Sequence, residues 1–187
     1  MKDFAELVVT AAEISGDVNA ANYAASLIGI AEKKLSRRMK VRQSIDTVNV
    51  TTDAEGFCAL PRGFIDIVHI FENKKEMFPV PLHSILEDSR KGYAIVGDRI
   101  RSSYGDRSHE ITFYKELPSL SEEGCNWLLE QAPDIYLQAL LLELSVKGRD
   151  IETAAITQAY LDRLITEFVG TSRTAATNVR TAGGCRP

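Results

Sequence analysis

Apolar positions along this chain change period twice, and the changes divide it into three stretches. From Asp3 to Ile14, Phe4, Leu7, Val8, Ala11 and Ala12 recur at helical spacing, and Ser15-Gly16-Asp17 ends the run. Asn19 is the expected N-cap of a second helix reaching about Arg42, with Tyr23, Leu27, Ile30, Ala31, Leu35 and Met39 as its apolar stripe. The middle of the chain then alternates. Thr47 to Thr51 and Phe57 to Leu60 read as strands, and Val68–Glu72 with Glu76–Val80 flank Asn73-Lys74-Lys75 as a hairpin. Tyr93–Val96 and Arg99–Ser102 form a second hairpin across Gly97-Asp98, and Glu110–Tyr114 is the last strand. Leu82 to Ser89 predicts one or two helical turns. Pro133 opens a helix, apolar almost all round, over Asp134–Lys147; such a helix is buried or packed on both sides. Gly148-Arg149-Asp150 breaks it. A last helix runs from Ile151 to about Val169 with a stripe of Ile151, Ala155, Ile156, Ala159, Tyr160, Leu164 and Phe168.

The order predicts an α+β fold: a helical bundle with an inserted small antiparallel β module and a flexible C-terminal arm. Residues 1–170 form the expected main domain, with helices in 3–42 and 134–169 and the β insertion at about 45–114; residues 171–187 form the arm. The arm is small and polar, carries Arg173, Arg180 and Arg186, and has no carboxylate. That composition suits a segment that orders on a partner. Between insertion and bundle lies an expected joint of Tyr114, Leu117, Pro118, Trp127 and Tyr136, with Trp127 locking the sheet module to the helices.

Composition narrows the chemistry. A net charge of −4 argues against a general nucleic-acid binder. Cys58, Cys125 and Cys185 share no metal-ligand spacing with His69, His83 or His109, so neither a zinc site nor a disulfide framework is expected, and no cofactor is implied. The acidic start at Met1–Glu6 lacks the apolar run of a signal peptide, and no stretch approaches the ~20 apolar residues of a membrane span. A soluble protein that folds in the cytosol is expected.

The candidate active constellations are weak. Lys33, Lys34, Arg37, Arg38, Lys40 and Arg42 crowd one helix, either as a surface for an acidic partner or as a solvated end suited to the helix dipole. Glu122-Glu123 and Glu87-Asp88 are sequence neighbours that do not face one another across a glycosidic bond. Ser103, Ser108 and His109 lack the Gly-x-Ser-x-Gly context of a nucleophile elbow. The helix pair around Gly148 presents Asp150 and Glu152 where a recognition helix would present donors to DNA. No enzyme motif remains.

Several short motifs, in their order and spacing, resemble the head-to-tail adaptor (connector) proteins of tailed bacteriophages. They are Leu60-Pro61 before Phe64-Ile65 and Ile67, Tyr93-Ala94-Ile95 before Gly97, and Ile111-Thr112-Phe113-Tyr114. They continue in Leu117-Pro118-Ser119-Leu120-Ser121, Asn126-Trp127-Leu128-Leu129 and Pro133-Asp134-Ile135-Tyr136-Leu137. Ser102-Ser103-Tyr104 departs from the proline-containing turn of many relatives. The resemblance implies a virion protein at the head–tail interface, assembled in the host cytoplasm. It would form a cyclic ring of about twelvefold symmetry beneath the portal protein. The ring would meet tail, stopper or nozzle proteins, with genomic DNA passing through without sequence-specific binding and with no membrane involved. The arm and its three arginines would dock on the portal. A neighbouring subunit would help to cover the apolar helix. The mild acidity agrees with a conduit that does not grip DNA. The alternatives are a tail-associated peptidoglycan-degrading enzyme and a DNA-binding packaging factor.

Overall fold

In the computed structural model, which describes the backbone of residues 1–181 and the side chains of residues 1–172, the chain divides into two units. One comprises Met1–Ser44 and the chain from Glu116 onward; the other is Ile45–Lys115. The first is helical: α1 (Phe4–Ser15), α2 (Ala20–Arg38), α4 (Leu120–Glu123), α5 (Trp127–Gln131), α6 (Pro133–Gly148) and α7 (Ile151–Thr181). The second holds β1 (Ile45–Thr51), β2 (Phe57–Ala59), β3 (Phe64–Glu72), β4 (Lys75–Met77), the one-turn α3 (Leu82–Leu86), β5 (Tyr93–Val96), β6 (Arg99–Ser102) and β7 (Ser108–Lys115). The mixed α+β class is as the pattern predicts.

Local chemistry sets the helix starts. The Asp3 side chain caps α1 by accepting the Glu6 N–H at 2.9 Å. Gly16 ends that helix at φ 69°, a left-handed conformation that favours glycine. Asn19 occupies the N-cap position of α2 but makes no side-chain cap bond. Pro133 sits at the first turn of α6, where an N–H is not needed.

Two helix ends differ from expectation. The second helix stops at Arg38 rather than Arg42, because Met39 and Val41 both turn into the core (1% and 3% exposed). The Ser44 hydroxyl, within reach of the Val41 carbonyl at 2.7 Å, closes the 3-10 turn Arg42–Ser44 that follows. The last helix continues past Val169 to Thr181. Gly170 costs a helix about 1 kcal/mol relative to alanine, too little to break one flanked by continuous helix on both sides. Residues 171–181 of the expected arm therefore continue α7, while residues 182–187, with Cys185 and Arg186, lie outside the described residues.

The helical core is built around α6, which packs on α1, α2, α5 and α7 of its own chain. Ile135, Tyr136, Ala139 and Leu140 are each at most 3% exposed. The all-round apolar pattern thus marks the central helix of the bundle, already covered within the chain. The stripe expected on α7 holds in part: Leu164 and Phe168 pack against the core, but the buried positions are Thr157, Leu161 and Ile165, whereas Ile151, Ile156 and Tyr160 are 82%, 66% and 41% exposed. Ile30 of the α2 stripe likewise faces out, and Ala24 and Ile28 take the buried positions.

The sheet unit has a four-stranded antiparallel sheet, β1-β7-β3-β4, and a three-stranded one, β2-β6-β5. They share one core of Cys58, Ile70, Met77, Tyr93, Ile100, Ile111 and Phe113. The Asn73-Lys74 turn has both residues at positive φ (50° and 64°), as a two-residue hairpin connection requires. Ile45 pairs with Tyr114, so the insertion's first and last strands lie side by side and its ends leave together. Lys115 donates to Asp46 at 2.9 Å across the same strand ends, and that bond holds the Asp46 carboxyl below its ordinary pKa.

Candidate functional site

Where the chain re-enters the helical unit, residues 117–126 run through its core with short helices at most. Buried backbone outside regular structure must find partners for its polar groups. Here α2 and the loop itself supply them. The Ser36 hydroxyl accepts the Leu117 N–H at 3.0 Å and donates to the Glu32 carbonyl at 2.7 Å. One carboxylate oxygen of Glu32 accepts the Leu120 N–H at 2.7 Å and the Tyr136 hydroxyl at 3.3 Å. The Asn126 amide donates to the Pro118 carbonyl at 2.8 Å and to the Tyr136 oxygen at 2.7 Å. Its own oxygen caps α5 by accepting the Leu128 and Leu129 N–H groups at 3.2 and 3.1 Å. Glu32, Ser36 and Asn126 are 5–7% exposed and Tyr136 is fully buried.

Burial pushes the Glu32 carboxyl above its ordinary pKa, with the Leu120 and Tyr136 hydrogen bonds opposing part of that rise. Burial also pushes the Tyr136 phenol well up, so it remains a neutral donor. A saturated network of this kind fixes one arrangement of α2, α6 and the returning chain. It positions structure and offers no group poised for proton transfer to a substrate.

Of the five expected joint residues, Tyr114 lies on β7 of the sheet unit and the other four lie in the helical unit. Leu117 and Tyr136 are in the helical core, and Pro118 contributes its carbonyl to the network. Trp127 is half-buried at the start of α5 and stacks on Phe168 of α7, with ring centroids 6.4 Å apart. Sequence reasoning missed Glu32 and Ser36, and it gave Asn126 no role.

The cation-rich end of α2 is partly neutralised within the bundle. Lys34 bonds the buried Glu143 at 2.5 Å, and Arg38 bonds Asp162 at 2.6 Å. Arg173 and Arg180 fall on the last turns of α7, where the structure describes backbone only, and Arg186 lies outside the described residues. A cleft of about 530 Å³ opens between α1, α6 and the start of α7. Its carboxylates are engaged locally: Asp17 accepts from Tyr23 and from the Asn19 N–H, and Asp150 caps α7 through the Thr153 N–H. Among the described residues no His, Cys, Asp and Glu group is arranged to hold a metal ion, and no helix is long and apolar enough to cross a membrane.

Three of the short motifs behind the adaptor resemblance, Leu117–Ser121, Asn126–Leu129 and Pro133–Leu137, fall on the hydrogen-bonded returning segment. The family model described as SU10 adaptor protein matches residues 2–182, which is nearly the whole chain. The chain belongs to that family. It is thus a phage adaptor protein, structural rather than catalytic in kind. No curated protein matches it. The adaptor match runs through both units and through the whole described length of α7.

Proposed function

We propose that this adaptor is a ring-forming subunit beneath the portal, joining the phage head to its tail and surrounding the channel through which DNA leaves. The family match over residues 2–182 carries this reading. Side chains that the bundle leaves uncovered support it: Val18, Ile151 and Ile156 are 92%, 82% and 66% exposed, which suits contacts made only on assembly. A portal of cyclic symmetry would template a ring of about twelve copies through heterologous contacts. Tail, stopper or nozzle proteins would meet its other side. The net charge of −4 agrees with a channel that passes DNA without holding it.

In this reading the distal part of α7 and the residues after it dock on the portal, with Arg173, Arg180 and Arg186 supplying steering charge. In the same reading Tyr114 on β7 and Leu117, Pro118, Trp127 and Tyr136 of the helical unit mark the chain's passage out of the insertion, each set held within its own unit. The test is to delete the gene and image the particles. DNA-filled heads without tails, restored by the wild-type chain, are expected, and a reconstruction of restored particles should show a ring of this fold at the portal. Tailed, infectious particles without the protein would overturn the assignment. Clearing of peptidoglycan by the purified chain would favour the enzymatic alternative, and a salt-dependent shift of duplex DNA the packaging factor.

A further inference from the structure

Within the sheet unit, β7 is the strand on which the four-stranded sheet depends, since it pairs with β1 on one side and β3 on the other. Its residues alternate, and the face carrying Ile111 and Phe113 into the shared core also carries His109. His109 is 2% exposed, and both ring nitrogens are buried without a hydrogen-bond partner. A neutral imidazole already leaves one donor and one acceptor unanswered there, and an imidazolium would leave two donors and a charge.

We propose that His109 makes the sheet unit acid-sensitive: its protonation releases β7 from the core shared by the two sheets, opening this unit while the helical unit stays folded. On the β1 side its register partner is the uncharged Val50. On the β3 side the partner is Glu72, whose carboxylate favours protonation. From the loop between β6 and β7 the Tyr104 carbonyl lies near the ring and favours protonation too, although its approach falls short of hydrogen-bond geometry. Burial outweighs both and holds the imidazole below its ordinary pKa.

The sign follows. The unfolded unit takes up the proton near the ordinary histidine value of about 6.5, and the folded unit only at lower pH. Stability present above that value is therefore lost as pH falls through it toward the folded pKa. The end of the sheet next to His109 is held by bonds of its own, which opening would break. There the Thr52 hydroxyl ties the Tyr104 carbonyl and the Arg107 N–H together at 2.9 and 3.2 Å. His69 is not part of this device; it is half-exposed and bonded to Glu76 at 2.6 Å.

Hydrogen exchange on the full chain between pH 7.5 and 5, corrected for the intrinsic pH dependence of exchange, tests the proposal. Protection of β1, β3 and β7 amides should fall by about tenfold for each unit by which burial depresses the histidine pKa, with α2 and α6 unaffected. His109→Gln should abolish that fall. Because the variant could fold poorly, the wild-type His109 titration by NMR stands beside it, with His109 expected to titrate below the ordinary histidine value and together with sheet opening. The same pH-dependent loss of protection in His109→Gln would overturn the proposal. So would titration of His109 at its ordinary value with the sheet intact. Neither outcome bears on ring formation, which the particle experiment tests separately.

Discussion

Replacing Asn126 by alanine removes four hydrogen bonds at once, and the structure allows the cost to be assembled from its parts. The side-chain oxygen caps α5 through two N–H groups, and loss of such a cap costs about 1 kcal/mol. The amide is the donor to the buried Pro118 carbonyl and to the Tyr136 oxygen, and leaving buried acceptors unanswered costs about 1–3 kcal/mol. The sum is about 2–4 kcal/mol, a large share of the ~5–15 kcal/mol typical of a domain. Asn126→Asp separates the contributions, since aspartate keeps the cap acceptor and loses both donors. Its defect should come from Pro118 and Tyr136 alone, worsened by the nearby Glu32 carboxylate. Urea unfolding followed by the fluorescence of Trp127, which lies in the same unit, measures both variants. Stability of Asn126→Ala within about 0.5 kcal/mol of wild type, the usual scatter of surface changes, would refute the network as the lock on the returning chain.

The other expectations concern Trp127, Glu32 and α7. Trp127→Ala should cost about 2–3 kcal/mol in urea unfolding, below the ~3–5 kcal/mol of a fully buried aromatic, because the indole is half-buried against Phe168. Glu32→Gln keeps an acceptor for Leu120 and removes a desolvated charge, so it should be neutral or stabilising at pH 7. Because the folded pKa of Glu32 is raised, wild type should lose the benefit of a neutral carboxyl as pH rises through that value, and a stability profile of Glu32→Gln should lack this slope. Truncation after Ser172 keeps every described residue of the helical core, Leu161 and Ile165 of α7 included, so melting temperature should hold while portal binding in a pull-down is lost.

Local patterns made much of the fold legible and left the buried polar chemistry hidden. Gly97-Asp98 announces a hairpin because only a few residue types tolerate the turn, and Pro133 announces the start of α6 for a similarly local reason. Glu32 could not be read in this way. It is one acid among Lys33, Lys34, Arg37 and Arg38, a setting that looks solvated. Its burial is decided by Leu120 and Tyr136, which lie 88 and 104 residues away in sequence. His109 was accessible, because alternation with Ile111 and Phe113 puts it on the inward face. The fragment Ser108-His109 drew attention to nucleophile chemistry instead. The α7 stripe held only in part, for a subtler reason. Ile151, Ala155, Ile156, Ala159 and Tyr160 keep helical spacing, yet the helix buries the arc of Thr157, Leu161 and Ile165. Two apolar arcs share one helix, and periodicity alone does not say which of them the chain covers itself.

That second arc is informative about assembly. The core of the helical unit forms without Ile151 and Ile156, since α6 packs on α1, α2, α5 and α7, and in the proposed ring these two side chains would be free to meet a neighbouring copy. Ile45 and Tyr114 pair at the ends of the sheet insertion, and the Glu32–Tyr136–Asn126 network fixes the chain within the helical unit after it returns. Buried hydrogen bonds thus hold the returning chain within the helical unit, while exposed apolar side chains lie along α7 and at the α1–α2 connection. For an adaptor this division has a physical rationale. In the proposed ring, contacts between copies through these side chains would form without reorganising the core, so little of the free energy of association would be consumed in refolding the subunit.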